Sequence, residues 1–165
     1  MKQVLTLEEN SAYILLLTVL YFVIGVASFS LSVSHHVVTL TVFAAEGVAL
    51  AFVALFGWQM CMGVFLGQVL LALFNDLHWQ VALGIAATHS VEAMIAGLLF
   101  HRFAISPKLE TRKDVFKLAA LIFFILQPIS ATFGNLVLWL DDMVSLKQLS
   151  NSWFAWWFGN SLGQI

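Results

Sequence analysis

Three ionisable side chains fall in stretches of the chain that otherwise carry almost no charge. Glu46 lies in one apolar run, and His89 and Glu92 lie three residues apart in another. Helical residues three or four apart share a face, which groups His89 with Glu92 and Thr88 with Glu92. A His–Glu pair could bind a metal, relay a proton, hold a polar ligand or link two helices by a hydrogen bond. The sequence leaves these interpretations open.

Glu46 has two interpretations of its own. An ionisable group at membrane depth costs several kcal/mol unless it is neutralised or paired, which makes it a functional candidate. Alternatively, Glu46 sits near the outer end of its helix and reaches interfacial water.

Metal and catalytic chemistry have little support in the residue pattern. A His–Glu pair supplies too few ligands, no HExxH spacing occurs, and the single cysteine, Cys61, cannot form a thiolate cluster. No nucleophile or phosphate-binding loop accompanies the pair. We therefore expect no metal, no cofactor and no catalytic residues, and an enzyme is the weakest of the functional interpretations.

A proline marks the apolar segment 118–140. Pro128 cannot donate its amide and releases the carbonyl of Phe124, so a kink is expected there. The polar residues around it could line a cavity or simply bond neighbouring helices. Asn160, near the end of the chain, is a further polar candidate. The candidate ligand-sensing residues are therefore Glu46, His89, Glu92, Thr132, Asn135 and Asn160.

The composition identifies the solvent of these segments. Of 165 residues, 61% are hydrophobic and 10% are charged, and the mean hydropathy is +0.95. Soluble domains carry about 25% charged residues. The chain is predicted to be one all-α domain over residues 1–165, a polytopic membrane helix bundle without nucleic-acid partners.

A membrane-spanning helix needs about 20 apolar residues. Five full spans are predicted, followed by the start of a sixth, at residues 12–31, 37–56, 60–74, 79–100, 118–140 and 153–165. The last segment would rise only about 20 Å as a helix, which leads us to expect a chain truncated at its C-terminal end. Pairs of small residues four apart favour close helix packing, at Gly63 and Gly67, Ala93 and Gly97, and Gly159 and Gly163.

Basic residues predict the orientation. Five of them, Arg102, Lys108, Arg112, Lys113 and Lys117, fall between the fourth and fifth predicted spans. The positive-inside rule places this loop and the N-terminus in the cytoplasm.

Several motifs give the chain a family likeness. They are Gly47 to Ala51 with Gly57, Gly63 and Gly67; His89 to Ala93 with Arg102; Ser130 to Gly134; and Trp153 with Trp156 to Gly163. In this pattern the chain resembles the type-one membrane-associated sensor (MASE) domain of bacterial signalling proteins. The likeness covers nearly the whole chain. The family usually has Gly-Asp at Gly159-Asn160 and often has Asn at His89.

The resemblance implies a non-enzymatic sensor of the bacterial inner membrane, with about eight spans in full. It further implies a C-terminal cytoplasmic output domain, such as a diguanylate cyclase or histidine kinase, and leaves a homodimer open. The alternative is a transporter or permease of small molecules or ions. The polar segment 118–140 and the intramembrane acid favour it.

Overall fold

A computed structural model describes residues 7–32 and 42–165, and this part of the chain is all α-helical, as predicted. Its helices are α1 (Leu7–Ser32), α2 (Ala45–Phe56), α3 (Cys61–Phe74), α4 (Trp79–Arg102), α5 (Arg112–Leu140) and α6 (Leu149–Gln164). A single 3₁₀ turn, Trp58–Met60, precedes α3.

Three of the helices, α1, α4 and α5, are long and apolar enough to cross a membrane. By contrast, α2 has 12 residues and α3 has 14, which rise about 18 and 21 Å, short of a core about 30 Å thick. The prediction of a second span over 37–56 is wrong in part. Residues 37–41 lie outside the described residues, and 42–44 are not helical.

The surface of α1 shows which solvent the bundle faces. Leu15, Val19 and Val23, spaced four apart, expose 51–66% of their surface on one side, while Leu17 and Tyr21 on the other side are fully buried. A continuous exposed apolar stripe on a helix suits lipid and not water.

Small residues let the helices approach closely, as their spacing predicts. A Cβ atom added at Gly63 would lie 2.9 Å from the carbonyl oxygen of Ile14, and one at Gly67 would lie 2.9 Å from the Cβ of Tyr21. The backbone of α3 therefore packs directly on α1. This packing fixes Tyr21 at the bundle centre.

Glycines of α6 support the irregular backbone before α2. The N–H of Phe43 donates to the carbonyl of Gly159, 3.3 Å away. Gly163 lies against the carbonyl of Phe43, and Gly47 lies against the carbonyl of Gly163, so that neither glycine has room for a side chain. Non-helical backbone at membrane depth is tolerated when protein buries it in this way.

Before Pro128, where the sequence predicts a kink, α5 contains a π turn, Ile122–Leu126. The N–H of Gln127 bonds to the carbonyl of Ile122, five residues back, and Pro128 has no N–H to offer. The carbonyl of Phe123 therefore lacks its usual helical donor. It accepts a hydrogen bond of 2.9 Å from the indole of Trp157 instead.

The two ends of the bundle differ in charge. At one end, here called the loop end, His78 Nδ1 lies 3.6 Å from Asp141 Oδ2 and connects the α3–α4 loop to the end of α5. At the opposite end, the basic end, α4 finishes at Arg102 and α5 begins at Arg112. The predicted basic loop is thus shorter than expected, because Arg112, Lys113 and Lys117 belong to the first turns of α5.

Candidate functional site

A buried cluster brings together three of the residues singled out in the sequence. Glu46 comes from the first turn of α2, and His89 and Glu92 come from one face of α4. Nδ1 of His89 contacts Oε1 of Glu46 and lies 3.9 Å from Oε2 of Glu92. Each of these residues exposes no more than 2% of its surface. We call Glu46, His89 and Glu92 the central cluster.

The central cluster lies at mid-depth in the bundle. His89 and Glu92 fall near the middle of α4. Tyr21, which bonds Glu46, falls near the middle of α1, and Gln127, which bonds Glu92, falls near the middle of α5. Glu46 is 1% exposed. The interpretation that Glu46 reaches interfacial water is therefore wrong, because α2 begins inside the bundle and not at its surface.

Hydrogen bonds from three further helices hold the two carboxylates. The hydroxyl of Tyr21 donates to Oε1 of Glu46 at 2.6 Å. The amide of Gln127 donates to Oε1 of Glu92 at 2.6 Å. Gln164 bridges both acids, donating to Oε1 of Glu92 at 2.9 Å and to Oε2 of Glu46 at 3.3 Å.

Sequence reasoning passed over Tyr21, Gln127 and Gln164 as site residues. Tyr21 left one signal, because a tyrosine in a long apolar helix needs a partner for its hydroxyl. Gln127 precedes Pro128 in an otherwise apolar segment, and Gln164 stands at the end of a glycine-rich stretch. Only tertiary packing places these three side chains on the same two carboxylates.

Among the described residues, no lysine or arginine compensates the two carboxylates of the central cluster. Every lysine and arginine that the structure describes is exposed. Two carboxylates in a medium of low dielectric cannot both stay ionised without compensation. The site must therefore contain protons, a cation or both, beyond what a single imidazole supplies.

A cavity of about 410 Å³ extends from the central cluster toward the loop end. Most of its wall is apolar, and a few polar side chains interrupt it. The lining residues that matter here are His89, Trp156, Asn160, Gln68, Asn75 and Ala155. The imidazole of His89 stacks on the indole of Trp156, with ring centroids 5.6 Å apart and planes inclined by 20°. A largely apolar cavity with a few converging polar groups is the usual form of a small-molecule site.

The other candidates divide between two places. Asn160 is buried and lines the same cavity as His89. Thr132 and Asn135 line a separate, more open pocket of about 350 Å³. There Thr132 accepts a hydrogen bond of 3.0 Å from the indole of Trp153, and Asn135 donates to the carbonyl of Ala131 in its own helix. The structure does not bring these two residues to the central cluster.

Long apolar helices, a lipid-suited surface and a buried polar site define a polytopic helical membrane domain. Within that class, residues 13–165 match the MASE1 family, and the chain belongs to this family. MASE1 domains are non-catalytic sensory membrane domains, typical of bacterial signalling proteins. No curated protein and no solved structure matches the chain.

Proposed function

We propose that this domain is the input module of a bacterial signal-transduction protein and passes a stimulus from its cavity to a cytoplasmic output domain. The observation that carries the proposal is the double role of α6. This helix lines the cavity with Trp156 and Asn160, and it bonds both acids of the central cluster through Gln164.

His89 connects the two parts of the site. It lines the cavity, stacks on Trp156 and contacts Glu46. A molecule bound in the cavity beside His89 and Trp156 therefore contacts α6 and a residue of the central cluster together. A stimulus needs only different affinities for two arrangements of α6 to shift their populations.

The proposal includes a location and partners. The exposed basic residues at the basic end support a cytoplasmic position for that end and for the N-terminus. The membrane is the bacterial inner membrane, and the output domain of the full-length protein signals through cyclic di-GMP or phosphotransfer. Dimerisation of the full-length protein would suit either output.

The test begins with the reading frame beyond Ile165, which should encode a cyclase or kinase module. Output is then measured for the full-length protein carrying Ala155→Leu, which places a larger side chain in the cavity. We expect a change in basal or stimulated output of about fivefold or more, the lower range of allosteric coupling. Ala87→Leu is the matched control, because Ala87 is exposed on α4.

Unchanged output in Ala155→Leu, with membrane insertion and helicity intact, would contradict the proposal. An effect of equal size in Ala87→Leu would contradict it too, since that substitution leaves the cavity untouched.

A transporter is the second candidate, because the cavity reaches buried carboxylates at mid-depth, where transporters bind their substrates. Proton-driven uptake by proteoliposomes, together with a reading frame that encodes only more membrane helices, would favour it over the sensor.

A further inference from the structure

We propose that Glu46, His89 and Glu92 bind a divalent transition-metal ion at the centre of the bundle. The role of this ion as a stimulus rests on the proposed function, whereas the binding site rests on the geometry of the three side chains. The expectation of no metal was drawn from the His–Glu pair alone. Folding adds Glu46 from a different helix as a third ligand.

The three donors are close enough to share one ion. One ligand atom from each residue lies within 4.8 Å of the others. Ions such as Zn²⁺ bind imidazole nitrogen and carboxylate oxygen at about 2.0–2.2 Å, so that ligands on a single ion stand about 3–3.5 Å apart. Side-chain displacements of about an ångström would bring the three donor atoms to these distances.

Unpartnered atoms in the central cluster point to a missing ligand. Nδ1 of His89 and Oε2 of Glu92 are both buried and have no hydrogen-bond partner. Nδ1 touches Oε1 of Glu46, but no hydrogen bond of ordinary geometry joins the two atoms. Buried polar atoms in native proteins are nearly always satisfied, and an ion between these residues would satisfy both.

The surrounding hydrogen bonds have the form of a second coordination shell. Oε1 of Glu92 accepts from Gln127 and Gln164, and its Oε2 lies 3.9 Å from Nδ1 of His89. Oε2 of Glu46 likewise accepts from Gln164. Outer hydrogen bonds of this kind orient ligands in known metal sites. At Glu92 they engage Oε1, and Oε2 lies 3.9 Å from the imidazole. At Glu46 both oxygens accept hydrogen bonds, and Oε1, which accepts from Tyr21, is the one beside the imidazole.

Charge favours the same conclusion. Glu46 lies in the first turn of α2, where the helix dipole stabilises the ionised carboxylate. Since the described lysines and arginines are exposed, the two acids need protons or a cation beyond what the His89 imidazole supplies. One divalent cation neutralises both, and neutral imidazole can then act as a ligand.

The donor set defines the class of ion. One nitrogen and two carboxylate oxygens suit Zn²⁺, Mn²⁺, Fe²⁺ or Co²⁺, whereas soft ions such as Cu⁺ prefer sulfur. Cys61 does not belong to the set. An ion reaches the site through the cavity, whose wall includes His89.

The experiment is a titration of the purified chain in detergent with Co²⁺, after removal of metals by a chelator, followed by visible absorption. The wild type should bind one Co²⁺ per chain, and Zn²⁺ should displace it. His89→Gln should weaken binding by at least tenfold, and Gln164→Leu, which removes an outer hydrogen bond, by about 10–100-fold. His78→Gln is the control, because His78 is an exposed histidine at the loop end and should bind as the wild type does.

Absence of stoichiometric binding by the wild type would overturn the proposal without any reliance on how a variant folds. Equal affinities for His89→Gln and His78→Gln would overturn it as well. If Co²⁺ does not bind but Ala155→Leu still changes output, the sensor survives and the metal site fails. If binding depends on His89 but Zn²⁺ and Ala155→Leu both leave output unchanged, the metal site stands and the sensor role fails.

Discussion

The indole Nε1 of Trp157 donates a hydrogen bond of 2.9 Å to the carbonyl oxygen of Phe123. This bond joins α6 to α5 at the point where α5 changes from α to π geometry. The N–H of Gln127 bonds to Ile122 and not to Phe123, and Pro128 has no N–H. The carbonyl of Phe123 therefore has no donor within its own helix. A side chain of α6 thus supplies the hydrogen-bond donor that the backbone of α5 lacks.

Trp157→Phe should destabilise the bundle by about 1 kcal/mol or more. The substitution keeps an aromatic ring and removes the donor, so that the carbonyl of Phe123 loses its partner in an environment without water. Unfolding of the purified domain in mixed detergent and SDS, followed by circular dichroism, measures the effect. Trp153→Phe is the matched control, because the indole of Trp153 donates to an exposed hydroxyl, that of Thr132. A larger loss in the control than in Trp157→Phe would contradict the prediction.

Gly67→Leu should destabilise the domain by about 1–3 kcal/mol, the usual cost of overpacking. Even a Cβ at this position would come within 3.0 Å of the carbonyl of Thr18 and within 2.9 Å of Tyr21. The helices α1 and α3 would have to separate, and Tyr21 would move away from Glu46. The same unfolding measurement applies. Ala51→Leu, at an exposed position of α2, should lie within about 0.5 kcal/mol of the wild type. Equal stability of the two variants would show that α1 and α3 do not pack as described.

Tyr21→Phe should lower stability by about 1.5–3 kcal/mol, the range for hydrogen bonds to charged groups. The substitution removes the hydroxyl that donates to Oε1 of Glu46 and leaves the ring in place. Tyr13→Phe on the same helix is the control, since the ring of Tyr13 stacks on Phe56 and is retained. A cost for Tyr21→Phe no greater than for Tyr13→Phe would mean that the bond to Glu46 contributes little to stability.

Hydropathy and residue spacing predicted the long helices well. The predicted segment 79–100 corresponds to the helix Trp79–Arg102, and the predicted segment 118–140 forms the larger part of the helix Arg112–Leu140. The small-residue spacing at Gly63 and Gly67 correctly indicated a close helix contact. These features depend on local sequence, because a helix in lipid satisfies its own backbone and exposes an apolar surface.

The beginning of α2 could not be predicted in the same way. Residues 42–44 are as apolar as their neighbours, yet the helix begins only at Ala45. The partner of the Phe43 amide is the carbonyl of Gly159, more than a hundred residues later in the chain. A window of hydropathy contains no information about such a partner. The sequence left the depth of Glu46 open for the same reason.

The candidate site was partly visible in the sequence. His89 and Glu92 share a helix face, and this local relationship identified them as a pair. Gln164 and Tyr21 join them only through tertiary packing, and Thr132 and Asn135 turned out to line another pocket. A polar residue in an apolar helix indicates that a partner exists, but it does not indicate which one.

The hydrogen bond between Gln164 and Glu46 spans 118 positions of the chain. Ribosomes deliver the N-terminal helices to the membrane first, so both acids are inserted long before the amide that bridges them is made. Until α6 arrives, Glu46 and Glu92 lack this partner in an apolar surrounding, and the first helices form an unfinished assembly. The arrival of α6 therefore completes the hydrogen bonds of the two acids during biosynthesis. A nascent chain that stops before α6 should present its unsatisfied acids to the membrane proteases that remove incomplete proteins.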